Sequence, residues 1–387
     1  MSGHGKDRLR QQALTGLTSV GIVALAGVAG ALLILLAGRN PIETYGAILS
    51  GAGLGWFIPG QSASHYTQAA FGLQQTLGLL VPLVLLGFAV AIPYRAGLFN
   101  IGGQGQLIMG SIAAVWLGSA ITGLPAPAHI TLAVVMGAVL GALWAAIAGV
   151  LRAWLGTNEV IVTIMLNYIA IWVGSFLFGI GGPLQNEAQP TQPVSETVAE
   201  SARIPVIWGS AALQGLHAGI FLVPIVVGVV WLVQHRTTVG FETAAVGSNV
   251  EASRYLGIPV SRRYVMAMVF GGALAGLAGA MEILGWQFRI ATADLHASQL
   301  GFVGIAIALL GRNTPIGVVL SAFLFAVLIN GSSNRNLDPS AFPPELASYL
   351  TLIGQGVIIL LVSLNAERSL DFLRRRLARV LRRKVAS

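Results

Sequence analysis

The chain has 387 residues, of which 55% are hydrophobic and only 9% are charged, and its mean hydropathy is +0.78. A soluble domain carries about 25% charged residues, so this composition excludes an ordinary water-soluble globule. No charged residue lies between Glu43 and Arg95 or between Arg95 and Arg152, and each gap is long enough for about two membrane spans. Such runs lack the alternating pattern of an outer-membrane barrel. We therefore predict an all-α polytopic membrane protein.

The formal net charge of +8 is concentrated at the C-terminus, where seven of the 22 basic residues fall. In a membrane protein such a cluster marks the cytoplasmic side and contacts anionic membrane lipids, so we expect no nucleic-acid partner. The absence of cysteine excludes disulfides, thiol catalysis and cysteine-based metal sites. The cluster consists of Arg374, Arg375, Arg376, Arg379, Arg382, Arg383 and Lys384.

Apolar runs between polar breaks predict about ten transmembrane helices. The first run is too long for a signal-peptide core and is not followed by a clear cleavage site, so we expect it to be retained. The second and third runs, with the segment before them, could also form one re-entrant unit. The predicted spans are 16–37, 72–94, 100–122, 129–151, 159–180, 217–234, 264–285, 297–311, 314–331 and 347–364.

These spans divide the chain into a cytoplasmic segment 1–15, a transmembrane permease domain 16–364 and a basic cytoplasmic tail 365–387. With ten spans and the N-terminus inside, 18 basic residues lie on the inner side and 4 on the outer side. Because Lys and Arg are retained on the cytoplasmic side, both termini are predicted to be cytoplasmic.

Two longer polar stretches interrupt the apolar pattern. Residues 181–216 are predicted to form an external loop that caps the surface, and residues 235–263 form the largest internal loop, with helix-compatible composition. Five predicted spans precede the external loop and five follow it, from opposite sides. This is the arrangement of an inverted repeat, which transporters often use to place the substrate path between two halves.

Catalytic motifs are missing from the sequence. It contains neither a GxxxxGK[ST] phosphate loop nor HExxH, and its six histidines are scattered. We therefore expect no catalytic residue and no metal site. Charged residues occur almost wholly at span ends, which argues against ion-coupled transport, although Glu159 keeps that alternative open.

Neutral polar residues do enter the apolar regions. Asn100, Gln104 and Gln106 lie in the glycine-rich run FNIGGQGQ at the start of a predicted span. Glycines allow tight turns, and amides form hydrogen bonds without carrying charge. The run is typical of a broken helix that lines a path for a polar, uncharged solute. Equally, small residues and amides could simply join helices to one another.

A second polar cluster begins at Asn158 and Glu159. Glu159, Thr163 and Asn167 are four residues apart, so they share one helix face, which we predict to point inward. Asn158 is predicted either to line the path or to cap the helix, with Glu159 in the first turn.

Four segments in this order resemble the permease subunits of ABC importers, most closely the nucleoside and simple-sugar branch that is related to ribose and branched-chain amino-acid permeases. The resemblance runs from about residue 70 to residue 364, and the four motifs together make it specific. The segments are YRAGLFNIGGQGQLIMG (94–110), TNEVIVTIMLNYIA (157–170), VGSNVEASRYLGIPVSR (246–262) and GFVGIAIALLGRNTPIG (301–317).

The resemblance implies a type II ABC importer permease fold of about ten helices, in the bacterial cytoplasmic (inner) membrane. It implies a separate ABC ATPase, which binds ATP and Mg, a second and different permease subunit, and an external solute-binding (lipo)protein. No cofactor is expected in this chain. Nucleosides are the favoured solute, with simple sugars as the alternative.

The resemblance also places a short coupling helix, which contacts the ATPase, in the loop before the seventh span. Local signals agree, because Gly257 and Pro259 would end a helix there. Small residues would allow a close fit, and Arg254 would bond the ATPase or else face water or lipid headgroups. The implied coupling residues are Gly247, Asn249, Glu251, Ala252, Arg254, Tyr255, Gly257 and Ile258.

Overall fold

A computed structural model describes residues 21–60, 62–210 and 214–333, together with the single positions 336, 349, 352, 353, 356, 357 and 360. The predicted N-terminal segment 1–15, the tail 365–387 and most of the predicted last span therefore lie outside the described residues. The chain divides into two compact units, one of residues 49–331 and one of residues 1–48 and 332–387.

The described residues of the smaller unit include α1, described from Gly21 to Leu36, and most of α2 (Pro41–Gly51). The two helices are bent by 115° relative to one another. The hydroxyl of Tyr45 donates a hydrogen bond of 2.7 Å to the carbonyl of Gly27, and Ile34 packs with Ile48. These contacts hold the two helices in a bent pair.

The larger unit is a helical bundle formed by α3 to α13. A three-residue break at residues 156–158 and a polar segment after Phe178 separate its main hairpins. The helices are α3 (Ala63–Arg95), α4 (Gly103–Ala120), α5 (Ala126–Leu155), α6 (Glu159–Phe178), α7 (Leu222–Arg236), α8 (Thr238–Ser248), α9 (Val250–Tyr255), α10 (Val260–Glu282), α11 (Thr292–Ala297), α12 (Leu300–Leu310) and α13 (Pro315–Gly331).

Six helices of the described residues are long and apolar enough to cross a membrane, or seven if the bent pair α1–α2 counts as one span. The helical membrane fold is thus confirmed, but the predicted count of about ten is not. Two predicted spans have different bounds: the second extends back to Ala63, and the eighth corresponds to α12, which the short helix α11 precedes. Helix α4 starts three residues later than predicted, at Gly103.

Helices α3 and α10 form the core of the bundle. Of the apolar window of α3, 78% is buried, against 22–28% for α5, α6 and α7, whose outer faces are apolar and exposed. Helix α10 packs on α3, α4 and α5, while α12 and α13 pack on α3. Close contact between α5 and α10 depends on small residues: Gly141 lies directly against the backbone of Gly272 and Gly276.

Residues 181–210 and 214–221 lie in a folded cap at one end of the bundle. It contains a small antiparallel hairpin, β1 (Val206–Trp208) with β2 (Leu216–His217), and short 3₁₀ turns at Glu200–Ala202 and Ala218–Phe221. Ser195 pairs with Ile290 through backbone and side chain, at 2.8 and 2.9 Å. The guanidinium of Arg203 lies 4.8 Å above the ring of Phe288, just after a π-helical turn at Ile283–Gln287. These contacts fix the cap onto the end of α10.

Candidate functional site

Helix α4 begins inside the bundle and not at its end. After α3 ends at Arg95 the chain turns back, so that Asn100 Nδ2 donates to the carbonyl of Ala89 at 3.0 Å. Ala89 precedes Arg95 by six residues, which is about 9 Å along a helix. The first N–H groups of α4 therefore lie away from water and require partners from the protein.

Amide side chains supply those partners. Asn100 Oδ1 accepts from Gly102 N at 3.0 Å, and Asn167 Oδ1 accepts from Gly105 N at 2.8 Å. Asn167 Nδ2 in turn donates to the carbonyl of Ile101 at 3.0 Å. Neutral amides suit this position, because they cap a helix end without a buried charge.

Gln106 closes the network by a reciprocal pair with Asn100, in which each amide donates to the other at 3.0 Å. Both side chains are buried, at 0% and 1% exposure, and Asn167 is 3% exposed. Thr163, on the same face of α6, is also buried, so the predicted inward face of Glu159, Thr163 and Asn167 is confirmed.

The first turn of a second helix meets the start of α4 at this point. Helix α12 starts beside the start of α4, and Gln104 Oε1 accepts a hydrogen bond of 2.9 Å from Gly301 N, in the first turn of α12. Gly103 and Gly301 bring the two backbones together. The Nε2 atom of Gln104 is buried and has no hydrogen-bond partner within the part of the chain that the structure describes. The N-termini of α4 and α12 and the unpartnered Nε2 donor of Gln104 thus lie close together.

The predicted path residues accordingly separate into two groups. Asn100, Gln104, Gln106 and Asn167 form one buried cluster, hereafter the amide cluster, and in this conformation they contact each other and the backbone. Asn158 lies apart from it: the side chain is exposed and caps α6 by accepting from Val160 N at 2.9 Å. Asn158 was predicted either to line the path or to cap the helix, and in the structure it caps the helix.

Glu159 lies at the same end of the bundle, in an ion pair. Its Oε2 is 3.4 Å from Arg152 Nε, and its Oε1 accepts from Phe99 N at 3.3 Å. Glu159 therefore joins the turn between α3 and α4 to the last turn of α5. Phe99 and Arg152 were not among the residues that the sequence singled out, because only the fold brings them to Glu159.

The loop 235–263 folds into two helices, α8 and α9, separated at Asn249. Asn249 caps α9 by accepting from Ala252 N at 3.0 Å, and Gly257 follows its end with a φ of +76°, a conformation that favours glycine. The helix α9 spans only Val250–Tyr255, with Ser253 as its buried residue.

One side of α9 is exposed and combines apolar and charged groups. Tyr255 and Leu256 are 92% and 74% exposed, and Glu251 pairs with Arg254 at 3.1 Å beside them. Ala252 and Gly257 are exposed as well. Leu256 was missed from the sequence, although a large apolar residue in a polar loop would have been a usable signal.

The other side of this loop is fastened to the bundle. The backbone of Gly247 lies against Arg95 and Gly97, at the end of α3. Glu242 Oε2 is 2.7 Å from both Nε and Nη2 of Arg263, which joins α8 to the start of α10. Gly247 is exposed, but it contacts the end of α3 directly, whereas the residues of α9 do not. Glu242 and Arg263 were also missed, since their pairing is between helices.

No set of three or more His, Cys, Asp or Glu side chains within the described residues is arranged to hold a metal ion. The geometry of the site therefore consists of two features: a buried amide cluster where the first turns of α4 and α12 meet, and an exposed patch of α9 (Glu251, Ala252, Arg254, Tyr255, Leu256 and Gly257), hereafter the α9 patch, on a loop attached to α3 and α10.

The comparisons with known proteins agree with this architecture. Residues 72–362 match the family described as the branched-chain amino acid transport system permease component. The chain is 38% identical to a guanosine ABC transporter permease protein of Bacillus subtilis, over 86% of this chain and 89% of that protein. It is 34% identical to a nucleoside ABC transporter permease protein of Lactococcus lactis, over 83% and 84%.

A third relative comes from an archaeon. The glucose ABC transporter permease protein of Haloferax volcanii is 35% identical, over 81% of this chain and 79% of that protein. The family match covers most of the chain and includes both the amide cluster and the α9 patch. This chain belongs to the branched-chain amino acid transport system permease family and is a multi-pass membrane permease of the ABC transporter class.

Proposed function

We propose that this chain is the transmembrane permease subunit of an ATP-driven ABC importer for nucleosides. The observation that carries the proposal is similarity to a guanosine and a nucleoside permease over more than four fifths of the chain. A buried cluster of uncharged amides where the first turns of two helices meet supports it, because nucleosides are polar and uncharged. A simple-sugar importer is the second candidate, since the glucose permease is about equally similar.

We propose further that the α9 patch contacts a separate ABC ATPase, which binds ATP and Mg. Its exposed Tyr255 and Leu256 offer apolar anchors, and the ion-paired Glu251 and Arg254 offer polar contacts at the rim. Attachment of the same loop to α3 and α10 would transmit movement of the ATPase to the broken helix that follows α3. Coupling would then need neither phosphate chemistry nor a titrating carboxylate in this chain.

The remaining partners follow from the proposed class. A second, different permease subunit would complete the path, and an external solute-binding (lipo)protein would deliver the solute to the end that carries the 181–221 cap. The basic end, where Arg95, Arg152 and Arg236 lie, would be cytoplasmic in the bacterial inner membrane, with both termini inside. The inverted repeat stays a prediction.

The proposal is tested by measuring the uptake of labelled nucleosides, ribose and glucose in cells that lack this chain, with and without a plasmid copy. Loss of nucleoside uptake that the plasmid restores is the expected result. Loss of ribose or glucose uptake alone would favour the sugar candidate, and unchanged uptake of all these solutes would contradict both.

The coupling proposal has its own test in the same cells. Leu256→Asp should lower uptake about tenfold by removing a central apolar anchor of an interface, whereas Leu256→Met keeps its volume and should have little effect. Arg254→Glu and Gly257→Asp should also reduce uptake and the ATPase stimulation of the purified complex. Full activity of Leu256→Asp, Arg254→Glu and Gly257→Asp, at wild-type expression, would refute an ATPase contact at this patch.

A further inference from the structure

An apolar groove of about 210 Å³ lies between α3, α7, α8 and α10, away from the amide cluster and the α9 patch. Its walls are formed mainly by one side of α7 and the facing side of α10. The side chains that line these walls include Val226, Val229, Val230, Val233, Phe270 and Leu274. Val229 and Phe270 are more than half exposed, so the groove opens to the outside of the bundle.

Three polar side chains also line the groove. The hydroxyl of Thr243 already donates to the carbonyl of Val239, whereas Arg95 and Gln234 lie at helix ends on the basic side. Arg95 is the last residue of α3 and is half-buried, and within the described residues its guanidinium has neither an ion pair nor a hydrogen bond. Gln234, in the last turn of α7, has both amide atoms buried without a partner in the described part of the chain. A buried amide without partners is costly, so a ligand that bonds to it would stabilise this end of the groove.

We propose that this groove binds an anionic phospholipid, with one acyl chain along the valines of α7 and the phosphate on Arg95 and Gln234. An occupant that is apolar over most of its length and negatively charged at one end fits this lining, because the only polar groups besides the bonded Thr243 hydroxyl are Arg95 and Gln234, at the ends of α3 and α7. A guanidinium binds a phosphate by two parallel hydrogen bonds, and the Gln234 amide can donate a third.

The position of the groove agrees with a lipid occupant. Basic pockets between helices on the cytoplasmic side are typical sites for acidic lipid headgroups. A neighbouring helix would also bring apolar side chains, but it would leave Arg95 and Gln234 without an anion.

The lipid would connect two parts of the transport machinery. Val239, Gly240 and Thr243 of α8 line the groove beside the valines of α7. Since α8 belongs to the loop that is attached to α3 and α10, a bound lipid would contact the spans and this loop together.

Native mass spectrometry tests the proposal. The purified full-length chain is released from micelles that contain equal amounts of dioleoylphosphatidylglycerol and dioleoylphosphatidylcholine, and the lipids that stay bound are identified. The wild type should retain phosphatidylglycerol preferentially, and Arg95→Gln should reduce this preference roughly fivefold. Arg236→Gln is the matched control, because it removes a basic residue at the same end that does not line the groove. The basic tail is the same in every variant, so its lipids do not contribute to the difference.

A second pair of variants tests the apolar part and remains informative if Arg95→Gln does not fold. Val229→Trp should fill the groove and lower the number of retained lipids, whereas Leu232→Trp, on the exposed side of α7, should not. Equal retention of the two lipids by the wild type, or loss of preference in Arg236→Gln as large as in Arg95→Gln, would overturn the proposal. So would efficient cross-linking of a Val229→Cys chain to a second protein chain in the membrane, which would show a protein in the groove.

Discussion

The backbone of Gly247 lies directly against the carbonyl group of Arg95, so the last turn of α8 touches the last turn of α3 without an intervening side chain. A methyl group at position 247 would collide with that carbonyl. We expect Gly247→Ala to separate the two helices and to cost about 1–3 kcal/mol of stability. ATPase stimulation by the purified complex should fall at the same time, because the loop would no longer follow α3.

Gly228→Ala is the control for this prediction. Gly228 also lies within a helix, and no described atom lies within 4 Å of a Cβ placed there. The change should be neutral or slightly stabilising in a helix interior. Equal loss of activity in both variants would mean that the contact with Arg95 carries no coupling.

The ion pair between Glu242 and Arg263 should hold α8 on α10. The two side chains are only 25% and 10% exposed, so their charges are poorly screened. A double-mutant cycle with Glu242→Gln and Arg263→Gln, measured by thermal unfolding in detergent, should give an interaction energy of about 1–3 kcal/mol.

The pair between Glu251 and Arg254 on α9 provides the comparison. These side chains are 71% and 63% exposed, and an exposed pair of this kind contributes at most about 0.5 kcal/mol. If the two cycles give the same energy, burial does not decide the strength of these pairs and the anchoring role of Glu242 is wrong.

Asn167 is expected to be a structural residue of the amide cluster. Asn167→Leu would leave Gly105 N and the carbonyl of Ile101 without partners in the interior, at a cost of roughly 2–4 kcal/mol. Asn158→Ala, which removes only an exposed cap, should cost about 1 kcal/mol. The melting temperatures of the two variants in detergent distinguish these costs.

A role of Asn167 in solute binding would give a different result. The affinity for the solute would then fall in a variant whose melting temperature equals that of the wild type. That outcome would favour a direct contact with solute over capping of α4.

The pH dependence of stability should contain a contribution from His217 in the cap. Burial lowers the pKa of His217 from 6.5 to about 4, and its Nδ1 accepts a hydrogen bond of 3.1 Å from Gly219 N, which requires a neutral ring. Because the folded-state pKa is depressed, this contribution is fully present above pH 6.5 and is lost as the pH falls towards 4. Its upper bound is roughly 3 kcal/mol.

His217→Asn offers a test, because its side-chain oxygen can still accept from Gly219 N while the titrating group is removed. The melting temperature of the wild type should fall more steeply between pH 7 and pH 4.5 than that of the variant. The exposed His235→Asn should behave like the wild type. Parallel pH profiles for wild type and His217→Asn would contradict the assignment.

Much of the overall character follows from local sequence. Long uncharged runs require a membrane, since water would not solvate them, and the order of four motifs identified the permease family before any contact was known. The caps of α6 and α9 are likewise local, because Asn158 and Asn249 bond N–H groups two or three residues away. Spacing alone also placed Glu159, Thr163 and Asn167 on one buried face.

Other properties required the tertiary structure, because they depend on residues far apart in the chain. The sequence left open whether the amides of the FNIGGQGQ run line a path or join helices. Gln104 of this run bonds Gly301, 197 residues away, and Gly105 of the run bonds Asn167, 62 residues away. Likewise, only packing decides that Gly247 faces α3 while Tyr255 faces outward. Hydropathy sets which segments leave water, but the hydrogen bonds of a helix that begins inside the membrane are satisfied only by neighbours that the fold supplies.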